Sequence, residues 1–169
     1  MVTGHRKLAG SYNETNTHQW VRGTLNQLLT RLQVRYGDGL IAVSGMALGV
    51  DMMFAEEAIK LGISVTAAVP FATQDGRWPP RSQEQYRRIL AGCDKVVLVE
   101  GIPAYKAGSI PAKLQLCNVW MVDHSTMTIA VWDGGVGGTA NCVKACKRIG
   151  RKVVRIDPVK REVTMEQAT

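Results

Sequence analysis

Aromatic residues are scarce in this 169-residue chain: Phe, Trp and Tyr together make up 6% of it. That scarcity argues against a surface built to stack on the bases of a single strand. Cysteine is sparse too, and Cys93, Cys117, Cys142 and Cys146 form no CxxC pair. Cys142 and Cys146 share a helix face, but two sulfurs without a neighbouring His are a poor metal site. Reduced, buried thiols are the better reading, and no metal is expected. No apolar run approaches the ~20 residues that span a bilayer. The opening MVTGHRKLAG also lacks the long apolar stretch of a signal peptide. A cytoplasmic protein with no membrane partner is therefore expected. Two familiar phosphate signatures are missing as well: no GxGxxG follows the first strand, and no GxxxxGK[ST] occurs.

What is present suits one α/β domain. The chain is 46% hydrophobic, enough for a real core, and 21% charged. The formal charge of +7 attracts anions in general. Its positives are spread out, with short clusters at Arg87-Arg88, Lys147-Arg148, Arg151-Lys152 and Lys160-Arg161, which reads as a solvated basic surface. Strand and helix patterns alternate along the chain. LIAVSG (40–45), SVTAAVP (64–70), KVVLVE (95–100), TMTIAVWD (126–133) and KVVRIDP (152–158) are strand-like apolar runs. Residues 17–35, 50–61, 82–91, 112–122 and 140–149 carry helical spacing or fill the gaps between strands. This alternation predicts a Rossmann-like three-layer α/β sandwich with a mainly parallel sheet. The domain is expected to cover residues 1–158, with 159–169 a loosely held tail.

In such open sheets, ligands sit at the carboxyl ends of the strands. Three glycine-bearing stretches fall there: TGHR (3–6), SGMALGVD (44–51) and DGGVGGT (133–139). Glycine allows positive φ and close approach of a ligand. Amides at the following helix start, with the helix dipole, make an anion site. Ser44 and Thr139 can add hydroxyl hydrogen bonds, and Arg6 can clamp a phosphate or carboxylate in a bidentate way. One such turn is weak evidence, because tight-turn geometry explains many. Three at successive strand ends are harder to dismiss.

TGHR, SGMALGVDMMFAEEAIKLG, NVWMVDHS and WDGGVGGTANCVKAC together resemble the YspA/YpsA-like branch of the SLOG superfamily. That superfamily includes the LOG (lysine-decarboxylase-like) phosphoribohydrolases and the DprA DNA-processing proteins. The resemblance runs from Val2 to about Pro158. It implies a Rossmann-like domain that binds a nucleotide or nucleotide-derived ligand. Carried over, the pocket would use Gly4, His5 and Arg6, then Ser44, Gly45, Ala47, Gly49 and Asp51. Asn118 and Asp123 would come from the helix before the last glycine turn. Asp133, Gly134, Gly135, Gly137, Gly138 and Thr139 would complete it, with the glycines and Thr139 holding phosphate. The LOG-type catalytic groups are missing: Cys117 and Asn118 stand where that pattern has Arg-Lys, and Cys142 where it has Glu.

Three functions follow as expectations. The first is a nucleotide sensor or binding module that needs no cofactor. The second is an N-glycosidase or phosphoribohydrolase using replacement carboxylates, with Asp51 and Asp123 as catalytic candidates. Asp51 could equally cap the helix beginning near Val50. The third, less favoured, is DprA-like binding of single-stranded nucleic acid. By analogy alone, a homodimer or higher oligomer is expected.

Overall fold

Most of the apolar runs become largely buried strands, while KVVLVE becomes an edge strand with Val96 and Leu98 exposed, and the glycines and prolines between the runs set where the helices start and stop. The computed structural model describes residues 1–6, 8 and 16–166. Among the described residues the strands and α-helices run in order β1 (Val2–Gly4), α1 (Asn16–Tyr36), β2 (Ile41–Ser44), α2 (Val50–Lys60), β3 (Ser64–Val69), α3 (Pro80–Ala91), β4 (Lys95–Leu98), α4 (Ile110–Asp123), β5 (Met127–Val131), α5 (Gly138–Arg148), β6 (Lys152–Asp157) and β7 (Glu162–Glu166). Gly62, at φ 69°, turns the chain out of α2. Pro80 opens α3, where a missing N–H costs nothing. Ser109 caps α4, its hydroxyl accepting from the Ala112 amide at 3.4 Å.

Two ladders form, β1-β5-β6-β7 and β2-β3-β4, and every pairing is parallel except β6 with β7. β1 and β2 come within 8 Å of each other, Cα to Cα. The strands therefore run β4-β3-β2-β1-β5-β6-β7 across the molecule. From β1 the chain steps outward through β2 to β4. It then crosses back to β5, on the other side of β1, and steps outward again. The switch point lies between β1 and β5, where neighbouring connections leave in opposite directions.

Helices cover both faces. Val2, Val65, Ala67, Ile129 and Val131 pack toward α1, α2 and α3, and Val43, Ala68, Ala130 and Val153 toward α4 and α5. Consecutive residues such as Ile129 and Ala130 go to opposite cores, as the period-2 pleat requires. A polar staple holds the first layer. Arg22 reaches from α1 to Glu56 and Glu57 at 3.1 and 2.6 Å, and Arg88 on α3 reaches Glu56 at 3.1 Å.

The segment after Pro158 differs from expectation. Residues 162–166 form β7, registered antiparallel on β6 from Asp157↔Glu162 to Val153↔Glu166. Glu166 pairs with Lys147 at 2.5 Å and Arg155 at 3.5 Å. The run EVTME does alternate, but its only apolar residues, Val163 and Met165, both stay exposed, and so short a pattern reads as a loose tail. Residues 167–169 of that tail lie outside the described residues. Among the described residues, no helix is long and apolar enough to cross a membrane.

Candidate functional site

A cleft of about 370 Å³ opens at the carboxyl edge of the sheet, beside the switch point. Each of the three glycine-bearing turns contributes to it. Gly4, His5 and Arg6 come from the end of β1, and Gly45, Ala47 and Asp51 from the turn after β2 and the start of α2. Gly138 and Thr139 come from the first turn of α5, and Asn118 enters from α4. Gly138 and Thr139 stand where helix amides lack intrahelical acceptors and the dipole end is positive. The first α5 bond, from the Asn141 amide to the Gly137 carbonyl at 3.0 Å, begins only after them. Arg6 is exposed on the cleft wall and makes no ion pair among the described residues.

Asp51 supplies the cleft's carboxylate. It is 8% exposed, and burial pushes its carboxyl up to about 7, against the pull of the Ala47 amide and of Arg6. The Ala47 amide donates to Asp51 Oδ2 at 3.4 Å. The N-cap of α2 is Gly49, with no side-chain cap bond, so Asp51 braces the preceding turn rather than capping the helix. Cys117 lines the same wall. Its thiol donates to the Ala68 carbonyl at 3.3 Å, and burial pushes it up to about 12, so it is no thiolate nucleophile near neutral pH.

Several anticipated residues do other work. The hydroxyl of Ser44 is fully buried, donating to the Asp51 carbonyl at 2.8 Å and accepting from the Met46 amide at 3.2 Å. Both interactions hold the turn, and Ser44 is absent from the cleft lining. Gly49, at φ 92°, lets α2 approach the first turn: a Cβ there would lie 2.5 Å from the Arg6 carbonyl oxygen. Gly4 does similar work, since its Cβ would fall 2.5 Å from Val50 Cγ1. Gly134, Gly135 and Gly137 form an exposed loop beside the cleft and do not line it. Asp133 organises that loop, accepting from the Gly135 amide at 2.9 Å and pairing with His5 Nε2 at 3.0 Å. The Gly135 amide, with His5 beside it, holds the Asp133 carboxyl below its ordinary range. His5 and Asp133 thus tie β1 to β5 across the switch point. The expectation for Asp123 is corrected. It sits at the far end of α4, beside the start of β5, with the Tyr105 hydroxyl donating to it at 2.6 Å. Asn118 and Asp123 are five residues apart on one helix, and its length carries Asp123 away from the cleft.

Gln74 was not anticipated. Its loop, FATQDGRWPPR, reads as polar and exposed, yet Gln74 is 7% exposed and lines the cleft. Its Nε2 donates to the Gly45 carbonyl at 3.1 Å, and Tyr86 donates to its Oε1 at 3.4 Å. Trp78 packs edge-on against Tyr86, with ring centroids 5.3 Å apart, so this pair supports Gln74 rather than offering a face to a base. No sequence signal marks a single buried amide inside a polar loop.

The matched family model, described as the YspA SLOG family, covers residues 1–153, a span that contains all three turns. The chain belongs to this family. The SPbeta prophage-derived protein YoqJ of Bacillus subtilis (strain 168) is 35% identical over 99 residues, covering 54% of this chain and 58% of YoqJ. The X-ray structure of DNA processing protein A (DprA) from Streptococcus pneumoniae superposes with TM-score 0.64 at 21% identity, over 92% of this chain and 49% of that one. Helicobacter pylori DNA processing protein A, whose structure was described for its single-stranded DNA binding mode, matches with TM-score 0.63 at 15% identity, over 92% of this chain and 63% of that one. At these identities the likeness establishes the shared Rossmann-like fold. The chain spans about half to three fifths of these relatives' lengths.

Proposed function

We propose that this SLOG-family chain binds a nucleotide or nucleotide-derived ligand in the switch-point cleft, as a sensing or binding module. One observation carries the reading: three strand-to-helix turns far apart in sequence line a single cleft of about 370 Å³, with Arg6 on its wall. The amides of Gly138 and Thr139 and the Arg6 guanidinium would take the phosphate. Asn118 and Gln74 offer amide groups suited to the hydroxyls and ring edges of the rest of the ligand.

Turnover is the second reading, and Asp51 is the observation that favours it. A carboxyl pushed up to about 7 beside the phosphate end is suited to proton transfer near neutral pH.

One experiment separates the readings. The protein is incubated with a panel of nucleoside mono-, di- and triphosphates, and melting temperature and free base are both measured. Saturable stabilisation that is lost in Arg6→Gln, with no base released, supports the binding module. Base release that disappears in Asp51→Asn supports the hydrolase. A protein that neither gains stability nor releases base with any nucleotide refutes both. Steeply salt-dependent retention of a labelled oligonucleotide would transfer the cleft to single-stranded nucleic acid instead.

A further inference from the structure

A second cavity lies at the opposite edge of the sheet and does not belong to the site above. It has a volume of about 620 Å³ and opens where the strands begin, at Ile41 of β2, Lys95 of β4 and Met127 of β5. Its origin is topological. β1 is three residues long and pairs with β5 only from Val2↔Ile129 upward, while β2 is ladder-paired with β3 alone. Below Met1 the two halves of the sheet part, and the space between them is left unfilled. Leu29 and Leu32 of α1, Phe54 of α2 and Ile129 of β5 give it an apolar interior.

Its polar side chains are Tyr36, Thr66, Lys95, His124, Ser125 and Thr126. No Asp or Glu lines the slot. Lys95 does, and it has no ion pair among the described residues. His124, also in the lining, stacks on Trp120 at 4.2 Å and uses its Nδ1–H on the Trp120 carbonyl at 2.8 Å. The neighbouring Ser125 hydroxyl is buried and has no hydrogen-bond partner among the described residues, although a buried hydroxyl normally finds one. An apolar cavity of this size with a few convergent polar groups is the ordinary form of a small-molecule site.

We infer that this slot is a second ligand site, for an amphiphile with an apolar or aromatic body and a single anionic head. The body occupies the space between Leu29, Leu32, Phe54 and Ile129. The head meets the Lys95 ammonium and the Ser125 hydroxyl. A cationic or zwitterionic ligand would find no counter-charge, and a highly charged nucleotide would strand its ribose against hydrocarbon.

The test uses 8-anilinonaphthalene-1-sulfonate, an apolar aromatic anion, and dodecanoate as competitor. The expected result is one-to-one binding with enhanced emission, displaced by dodecanoate. Lys95→Glu should weaken binding by at least about tenfold and Lys95→Arg should restore most of it, as expected for loss and return of a charge-assisted contact. Leu32→Trp, which fills the slot from a half-buried position, should abolish binding. Melting temperatures measured in parallel show that each variant is folded. Lys95 is exposed, so the charge variants report even if Leu32→Trp does not fold. Binding that is absent, or that ignores both Lys95→Glu and Leu32→Trp in folded protein, overturns the assignment. Nucleotide binding at the other edge is scored separately, so failure of one site leaves the other standing.

Discussion

Asp51→Asn should stabilise the protein at alkaline pH and leave it unchanged in acid. Burial raises the Asp51 carboxyl from 3.8 to about 7 in the folded chain. The folded state thus keeps a proton that the unfolded state releases above pH ~4. Stability is then fully present below that pH and falls as pH rises to about 7, at up to about 1.4 kcal/mol per unit, before levelling. The whole span is at most about 4 kcal/mol. Asparagine supplies the same shape without the ionisation, and its side-chain oxygen can still accept from the Ala47 amide. Urea unfolding of both proteins, followed by Trp fluorescence from pH 4 to pH 8.5, measures the difference. Contributions from other titrating groups cancel in it. The variant's advantage should be near zero at pH 4 and grow to a plateau of a few kcal/mol above pH 7. A difference that is flat across this range refutes the claim that Asp51 carries a raised pKa, and with it the case for proton transfer at the cleft. In the same assay Arg6→Gln should move the transition of the difference curve upward, because Arg6 holds the Asp51 pKa down.

Ser44→Ala removes a buried hydroxyl that serves both the Asp51 carbonyl and the Met46 amide. It should cost about 1–3 kcal/mol in urea unfolding, since two buried groups lose their partner. Gly49→Ala forces a Cβ to within 2.5 Å of the Arg6 carbonyl at a φ of 92°. It should lose at least about 1–3 kcal/mol of stability, and ligand stabilisation with it, because the first turn must shift. Gly23→Ala, in the middle of α1 with nothing within 4 Å of the new methyl, should instead gain about 0.5–1 kcal/mol. Gln74→Leu should leave the Gly45 carbonyl without its donor and weaken nucleotide stabilisation more than it lowers the melting temperature. Equal losses in both would reduce Gln74 to a packing role.

Much of the architecture was legible before folding. LIAVSG, SVTAAVP and TMTIAVWD are strand-like because a strand buried on both faces must be apolar throughout. All three appear in the structure within a residue or two of where the sequence puts them. That glycine-bearing turns follow β1, β2 and β5 was equally plain, since backbone freedom is written residue by residue. What each glycine is for was not. Gly4 and Gly49 serve the close packing of α2 against the first turn, while Gly138 stands open at the cleft. These uses look identical in sequence, because the atoms a Cβ would strike come from elsewhere in the chain.

The sequence by itself determined the alternation of strands and helices and the placing of chemically able residues at strand ends. Both follow from local backbone preference and hydrophobic period. Only the tertiary structure decided that β5 returns to lie beside β1, so that His5 meets Asp133 across 128 residues of chain. The same packing turned Ser44 inward, buried Asp51 and Gln74, carried Asp123 to the far edge and laid β7 against β6. Burial and proximity are properties of neighbours brought together by long-range packing, and a linear pattern of side chains does not contain them.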